Sequence, residues 1–259
     1  MDLGIKGRRA LVMASSQGLG KACAMALASE GCEVWINGRD ETRLAAAAEE
    51  IRAATGAEVH TVVADLNTAT GRERLVSACP DPDILVTNNG GPSPGTIDQW
   101  DHAAWLAALE ANLLAPVLVL RSVLPGMVQR KFGRIVNVTS AMVKAPVPVM
   151  GLSTAARAGL VALSKAVSHD VARHNVTINN LLPERIDTDR QRYMAERMMK
   201  EQGCSLEEAR RQIADTISAK RFGRPEEFAA ACAFFCSAQA GFISGQNLQL
   251  DGGSYTGLV

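Results

Sequence analysis

The chain has 259 residues, of which 47% are hydrophobic and 21% are charged, so its size and composition suit a globular protein with a sizeable buried core. Basic and acidic residues balance at 27 each, which gives no electrostatic reason to expect a nucleic acid or an anionic membrane as partner. The sequence shows no secretion signal, no apolar run long enough to span a bilayer and no CxxC pair among its six cysteines. We therefore predict a cytoplasmic protein with reduced thiols and no metal site.

Strand-like and helix-like segments alternate along the whole chain. Such alternation is typical of a parallel sheet with helices on both faces, so we predict an α/β fold: a single doubly wound Rossmann-type domain over 1–259 with a seven-stranded parallel sheet. Strands are predicted at 8–14, 33–37, 58–65, 83–89, 133–140, 176–183 and 246–253, and helices at 19–30, 41–55, 69–78, 101–129, 153–174, within 188–220, and at 224–237.

The turn after the first strand, "ASSQGLG" at 14–20, predicts a phosphate-binding loop. Gly18 and Gly20 allow a tight turn and a close approach of the backbone to a phosphate, and the next helix offers free N–H groups at its N-terminus. Ser15 and Ser16 can add hydroxyl donors. Because ligands of doubly wound sheets bind beyond the carboxyl ends of the strands, this loop lies at the expected edge. The alternative is an ordinary turn of small residues.

The residues "NGRD" after the second strand bear on which dinucleotide could bind. A carboxylate here would hydrogen-bond the ribose hydroxyls of NAD, whereas an arginine would accommodate the 2′-phosphate of NADP. Arg39 therefore favours NADP(H), and Asp40 one residue later keeps NAD(H) possible. The alternative interpretation of Arg39 is a solvated turn residue.

Several motifs, in order, resemble those of the short-chain dehydrogenase/reductase family, most of all its bacterial 3-oxoacyl-ACP-reductase-like members. "ASSQGLG" resembles the family's Thr-Gly-x-x-x-Gly-x-Gly loop, with Met13 and Ala14 in place of the Thr and the first Gly. "TNNGG" at 87–91 resembles Asn-Asn-Ala-Gly, and 223–253 is a close match to the family's C-terminal signature. The resemblance covers essentially the whole chain. It implies a cofactor bound by Ser15, Ser16, Gly18, Leu19, Gly20, Arg39, Asp65, Leu66, Asn89, Gly90, Arg157, Pro183, Ile186 and Thr188.

The catalytic residues of the family are only partly present. Asn112 and Ser140 match its helix asparagine and its catalytic serine. In the family a Tyr-x-x-x-Lys begins thirteen residues after that serine; the tyrosine donates a proton to the carbonyl oxygen, and the lysine binds the ribose and lowers the pKa of the tyrosine. Those positions are Ser153 and Arg157 here, and "AARAGL" aligns with the family's "ASKAGL" without a gap. Glu184 replaces the glycine of the family's Asn-x-x-x-Pro-Gly motif.

Proton delivery is therefore the open question. A serine hydroxyl lacks the reachable pKa of a phenol, which is about 10, and an arginine does not release a proton at working pH. Lys144, in the loop after the fifth strand, is one candidate donor; a solvated loop lysine is its alternative. Tyr193 is a second candidate, because it lies in the region 188–220 that resembles the family's substrate lid; a packing contact inside that lid is its alternative.

Arginines also cluster near the start of the lid region. Arg185, Arg190 and Arg192 could attract an anionic substrate, such as a phosphopantetheine or a carboxylate. Ordinary charge pairs on a solvated helix are the alternative.

The resemblance implies an NADP(H)-preferring oxidoreductase that transfers hydride to or from a ketone or alcohol, similar to 3-oxoacyl reductases. Its atypical proton-delivery site would comprise Ser140, Asn112, Ser153, Arg157 and Lys144. A small-molecule carbonyl substrate and a homo-oligomer, with a tetramer favoured and a dimer possible, are implied as well. The alternative is a catalytically silent nucleotide-binding sensor or partner subunit, which the loss of both Tyr and Lys would fit.

Overall fold

One seven-stranded sheet forms the centre of the computed structural model, which describes residues 1–258. Its strands are β1 (Arg9–Val12), β2 (Glu33–Gly38), β3 (Val59–Val63), β4 (Ile84–Thr87), β5 (Gly133–Val138), β6 (Val176–Pro183) and β7 (Asn247–Leu250). Every pairing is parallel, and the order is β3-β2-β1-β4-β5-β6-β7, so the direction of winding reverses between β1 and β4. The predicted doubly wound Rossmann-type sheet is confirmed.

Helices connect successive strands, and two of them, α2 and α3, have the predicted bounds. The α-helices are α1 (Gly18–Ser29), α2 (Glu41–Thr55), α3 (Ala69–Ala78), α4 (His102–Leu109), α5 (Ala115–Arg130), α6 (Gly151–Val171), α7 (Asp189–Gln202), α8 (Leu206–Asp215) and α9 (Pro225–Cys236). The predicted helix at 101–129 is α4 and α5, joined by a π-helical segment at Glu110–Leu114. The predicted helical region 188–220 is two helices, α7 and α8.

Both faces of the sheet are buried, as the apolar strands predicted. Alternate residues of β1 point to opposite faces. Val12 packs in a cluster with Leu27 of α1 and Phe228 of α9. Leu11 packs in the opposite cluster with Val123 of α5. The sheet is therefore the middle of three layers, and only its strand ends are open to a ligand.

Helices α7 and α8 have a small core of their own. Ala195, Ala209 and Ile213 are buried there. On the other side, α7 reaches the segment after β4: Arg190 Nη2 donates to the carbonyl O of Pro92 at 2.9 Å. The region predicted as a substrate lid thus spans from β6 to the loop after β4, and its movement as a lid stays a prediction.

The stretch His102–Arg130 is long and apolar enough to cross a membrane by length and composition alone. Core helices of soluble proteins meet the same criterion. In this fold Val119, Val123 and Met127 of the stretch are buried in the cluster on one face of the sheet. Of the most apolar window in this stretch, 33% is buried in the fold. The prediction that no apolar run is long enough to span a bilayer was therefore wrong by length and composition.

Candidate active site

A cleft of about 950 Å³ opens at the carboxyl ends of the strands, beside the reversal between β1 and β4. This is where a doubly wound sheet binds ligands. Twelve of the fourteen predicted cofactor-binding residues line it: Ser16, Gly18, Leu19, Arg39, Asp65, Leu66, Asn89, Gly90, Arg157, Pro183, Ile186 and Thr188.

Ser15 and Gly20, the other two, lie beneath the cleft. Ser15 is fully buried, and its hydroxyl donates to Val12 O at 2.7 Å and accepts from Asn37 N at 2.9 Å. A Cβ on Gly20 would lie 2.4 Å from Ala14 O, so glycine lets α1 approach the end of β1. Contrary to our prediction, the Ser15 hydroxyl is not offered to a phosphate; both residues shape the loop instead.

The N-terminus of α1 faces the cleft. Gln17 at the N-cap makes no side-chain hydrogen bond to the helix backbone, and Gly18 turns the chain at φ +56. The first N–H groups of α1 and its dipole are therefore available to an anion. The side-chain oxygen of Gln17 instead accepts from Nη1 of Arg43, which brings this guanidinium beside the loop.

Two arginines and one aspartate follow β2, and the structure assigns them different tasks. The Asp40 carboxylate accepts from Arg43 N at 2.9 Å and caps α2. Arg39 and Arg43 are exposed and line the cleft. The Asp40 carboxylate, which had kept NAD(H) possible, thus caps α2 while also lining the cleft, and two cations line the cleft beside it. Arg43 was not predicted from the sequence; its place in the first turn of α2, four residues after Arg39, is the signal that could have found it.

Asn112 lies in the π-helical segment between α4 and α5, and such insertions are frequent at functional sites. It is buried, and Nδ2 donates to Gly90 O at 3.3 Å. Its Oδ1 is buried without a hydrogen-bond partner among residues 1–258, so it can accept a hydrogen bond from a bound molecule. A second pocket of about 550 Å³ contains Asn112 and shares Asn89 and Gly90 with the cleft.

Ser140, Ser153 and Arg157 come together at the carboxyl end of β5, and all three line the cleft. Ser140 caps a short 3₁₀ turn at Ala141–Val143, with Oγ accepting from Met142 N at 3.2 Å. Ser153 is buried in the first turn of α6 and accepts from Arg157 Nε at 3.2 Å. The motif register predicted from the sequence therefore places these side chains in one site.

Arg157 is a buried cation held by backbone carbonyls. Its Nη1 donates to Val138 O at 2.7 Å and Thr139 O at 3.0 Å, and its Nη2 donates to Asn89 O at 3.4 Å. Desolvation, assisted by nearby Arg190, lowers its pKa to about 10, which keeps it charged at neutral pH. With Nε bound to Ser153, a guanidinium's five donors leave one N–H on Nη2 for a ligand. Arg157 thus ties β5 to the loop after β4.

The two predicted alternative proton donors are placed differently. Lys144 Nζ lies 5.6 Å from the ring centroid of Tyr255, and Lys144 is not part of the cleft lining. Tyr193 lines the cleft, and the Arg190 guanidinium lies 5.6 Å from its ring centroid. The structure brings Tyr193 to the cleft and turns Lys144 toward Tyr255; proton transfer from either stays a prediction.

Glu184 also lines the cleft, where the family has glycine. Desolvation raises the pKa of this carboxyl, and Asp251 raises it further, while Arg185 opposes the shift. Arg185 Nε lies 3.8 Å from Glu184 Oε1. A partly buried carboxyl with a raised pKa can hold a proton for transfer, so Glu184 joins the candidate donors. Sequence analysis noted this replacement without recognising what it could do.

A second titratable cluster lies on β2 and β3, away from the cleft. Ligand atoms of Glu33, Glu58 and His60 lie within 4.8 Å of one another. His60 Nε2 is 2.7 Å from Glu33 Oε1, and its ring stacks on Trp35 with the centroids 4.4 Å apart. We interpret the cluster as a surface hydrogen bond between His60 and Glu33 supported by a stacked ring.

Comparisons with known proteins agree with this geometry. The family model described as enoyl-(acyl carrier protein) reductase matches residues 13–255. The chain is 34% identical to the NADPH-dependent reductase BacG of Bacillus subtilis, over 95% of this chain and 97% of that protein. It is 31% identical to the 3-oxoacyl-[acyl-carrier-protein] reductase FabG of Aquifex aeolicus, over 98% of this chain and 100% of that protein.

A solved structure is similar over the whole length as well. L-sorbose reductase from Gluconobacter frateurii, complexed with NADPH and L-sorbose, is 30% identical with a TM-score of 0.94, over 100% of both chains. The chain belongs to the short-chain dehydrogenase/reductase family, as its motifs predicted.

Proposed function

We propose that the chain is an NADPH-dependent reductase that transfers hydride to the carbonyl carbon of a small-molecule ketone, with an atypical proton-delivery site. The observation that carries the proposal is a single cleft shared by the phosphate loop, Arg39, Ser140, Ser153 and Arg157. BacG is named an NADPH-dependent reductase, and the L-sorbose reductase structure contains NADPH, which supports this cofactor.

The residues at the dinucleotide end of the cleft fit NADP(H). The uncapped N-terminus of α1 suits the pyrophosphate, because it offers N–H donors and a positive dipole end. Arg39 and Arg43 suit the 2′-phosphate, since phosphate is best recognised by planar guanidinium donors. Asp65 lines the same part of the cleft, where the family's adenine-contacting aspartate lies.

The residues around Ser153 suit stabilisation of a substrate oxygen that becomes negative. Bound NADPH supplies the hydride. The Ser153 oxygen already accepts from Arg157 Nε, so its own proton is available to donate to that substrate oxygen. Ser140 offers a second hydroxyl, and Arg157 adds a permanent positive charge at short range. None of the three is a ready proton source, so a further group or water completes the reaction.

We further propose that the chain self-associates, with a tetramer favoured. Large apolar side chains remain exposed on the helices that follow β4 and β5, as with Leu106, Leu114 and Leu163. Phe242 and Leu248 are exposed beside and on β7. Exposed apolar groups at two separate faces support two interfaces, and light scattering of the purified chain tests the stoichiometry.

A single-turnover experiment tests the enzymatic proposal. Protein in excess over NADPH is mixed with 3-oxoacyl thioesters, diketones and ketoses, and NADPH absorbance is followed. We expect oxidation of NADPH by at least one ketone and an unchanged signal with the corresponding alcohol. If NADPH binds, as followed by its fluorescence, but no ketone is reduced, the silent nucleotide-binding alternative replaces the enzyme.

A further inference from the structure

Arg157 and Arg190 line the cleft without forming an ion pair with a carboxylate among residues 1–258. Their N–H groups donate elsewhere: Arg157 binds Ser153 and three backbone carbonyls, and Arg190 Nη2 donates to Pro92 O at 2.9 Å. Both contact the segment 89–92, so they flank Gly90 and Gly91 from two sides. Two cations thus face one part of the cleft.

Two arginines further along α7 form ion pairs with glutamates, and Arg185 has a longer contact with a carboxyl group. Arg192 pairs with Glu196 at 3.1 Å, and Arg197 pairs with Glu201 at 2.6 Å. Arg185 lies 3.8 Å from Glu184. The arginine cluster predicted from the sequence therefore separates into paired members and Arg190. The alternative interpretation, ordinary charge pairs on a solvated helix, fits Arg192 but does not fit Arg190.

Electrostatics make this arrangement costly unless an anion joins it. Desolvation lowers the pKa of Arg190, and Arg190 contributes to the lowered pKa of Arg157. Each charge is thus partly removed from water and exposed to repulsion by the other. A bound anion would relieve both effects, and the N–H left on Nη2 of Arg157 offers it a donor.

The cofactor phosphates have other partners. The α1 N-terminus, Arg39 and Arg43 lie at the dinucleotide end, whereas Arg157 donates to Ser153 and Arg190 donates to Pro92 O in the segment after β4. The cleft lining also includes apolar side chains, namely Met142, Val147, Val149, Met150 and Met194, besides polar ones such as Ser140 and Glu184. A ligand that fits this half of the cleft combines one anionic group with an apolar body.

We propose that Arg190 and Arg157 bind a substrate carboxylate, so that the protein prefers oxo acids with an apolar body over neutral ketones. The inference rests on the proposed reductase function for its substrate, but the anion site itself can be tested by binding. The ring of Tyr193 lies under the guanidinium of Arg190 and helps to hold it toward the cleft. Arg190 is thereby a specificity-determining residue.

Matched ligands and variants test the proposal. Hexanoate and hexanamide have the same apolar body, and their binding to the protein saturated with NADPH is measured by calorimetry. We expect hexanoate to bind at least about 10-fold more tightly, because a charge-assisted hydrogen bond to a buried cation is lost with the amide. Arg190→Met should abolish that preference. Arg192→Met, an exposed neighbour on α7 outside the cleft lining, should retain it.

Measurements of turnover and of cofactor affinity show whether Arg190 binds a substrate carboxylate or a cofactor phosphate. With a 3-oxo acid and its methyl ester, Arg190→Met should lower kcat/KM for the acid by about 10- to 100-fold more than it lowers kcat/KM for the ester. Weaker NADPH binding by Arg190→Met, with unchanged hexanoate binding, would assign the arginine to a cofactor phosphate and overturn the proposal. Equal binding of hexanoate and hexanamide to the wild-type protein would also overturn it. If hexanoate binding depends on Arg190 but none of the ketones or oxo acids is reduced by NADPH, the reductase function is refuted and the anion site stands.

Discussion

Arg157 Nε donates a hydrogen bond of 3.2 Å to the hydroxyl of Ser153, one helical turn earlier on α6. The motif alignment predicts that these are the positions of the family's lysine and tyrosine, and the two side chains contact each other directly. The bond fixes the serine oxygen as an acceptor and leaves its proton to point elsewhere. Since Arg157 also holds the carbonyls of Val138 and Thr139, the pair belongs to the framework of the site as well as to its chemistry.

Arg157→Met should destabilise the fold. Without the guanidinium, the carbonyls of Val138 and Thr139 lose buried donors, at about 1–3 kcal/mol for each unsatisfied group. We expect the free energy of unfolding to fall by about 2–4 kcal/mol in urea denaturation, with the m-value unchanged. Arg192→Met is the surface control. Equal midpoints for Arg157→Met and wild type would show that these hydrogen bonds contribute nothing to stability.

The sequence predicted the register of this site because the motif spacing along α6 contains no gap. It did not predict that Arg157 would bind Asn89 O and Thr139 O, since those atoms come from two loops that only the folded sheet brings together. The same limit applies to Asp40. Whether a carboxylate after a strand caps the next helix or faces a ribose depends on the residue at which that strand ends, and patterns leave this uncertain by a few positions.

The alternation of strands and helices was enough to predict the fold. Strands that are apolar on both faces can form only the middle layer between two layers of helices. Side-chain direction was harder to predict. Ser15 and Ser16 are adjacent and chemically identical, yet one hydroxyl is buried beneath the loop and the other residue lines the cleft. Lys144 is close to Ser140 in sequence, but its long chain turns toward the C-terminal Tyr255.

Ala14→Gly should stabilise the protein. Ala14 has a φ of +45, where the family has its first loop glycine, and hydrogen bonds to Asn37 and Asn88 hold it there. Glycine removes about 1–2 kcal/mol of strain from this left-handed backbone conformation. This gain exceeds the roughly 0.4–1 kcal/mol by which glycine favours the unfolded chain through its greater conformational entropy. We expect a rise in Tm of about 2 °C. Gly56→Ala, at φ +69 with open space around it, is the opposite control and should lower Tm.

Removing the two arginines after β2 should change cofactor preference. Arg39→Ser combined with Arg43→Ser deletes both cations proposed to bind the 2′-phosphate, while Asp40 still caps α2. We expect the Kd for NADPH to rise by about 10- to 100-fold and the Kd for NADH to stay within about 3-fold. Fluorescence titration of both cofactors measures this. Equal weakening for NADH and NADPH would mean that the arginines only support the loop.

Glu184 should make stability depend on pH. Its pKa is raised in the folded state, chiefly by desolvation, so the folded protein binds this proton more tightly than the unfolded chain does. Its contribution is most favourable below the ordinary glutamate pKa and is lost as pH rises through the raised value. Glu184→Gln should therefore raise Tm relative to wild type at pH 8, and the gap should shrink toward pH 4. Parallel Tm curves for the two proteins would contradict this, and Glu196→Gln on the exposed side of α7 is the control.

Tyr193 is the tyrosine that lines the cleft, and we expect it to contribute to proton delivery. A phenol is a stronger acid than an aliphatic hydroxyl, so it suits proton donation to a forming alkoxide better than a serine does. Tyr193→Phe keeps the ring beneath Arg190 and removes only the hydroxyl. With a ketone substrate, single-turnover NADPH oxidation should slow by about 100-fold, the lower end of what general acid catalysis supplies, with the Kd for NADPH unchanged.

Variants of two other candidate proton donors are measured alongside Tyr193→Phe, so that the comparison identifies which residue donates the proton. Glu184→Gln removes the half-buried carboxyl of the cleft, and Lys144→Met removes the amine above Tyr255. A rate loss confined to one of these variants would transfer the donor role to that residue and refute Tyr193. Full activity in all three would leave water, held by Asn112 Oδ1 in the adjoining pocket, as the source, because that buried acceptor has no partner among the described residues. In that case Asn112→Ala should slow the reaction in wild type and in Tyr193→Phe by the same factor.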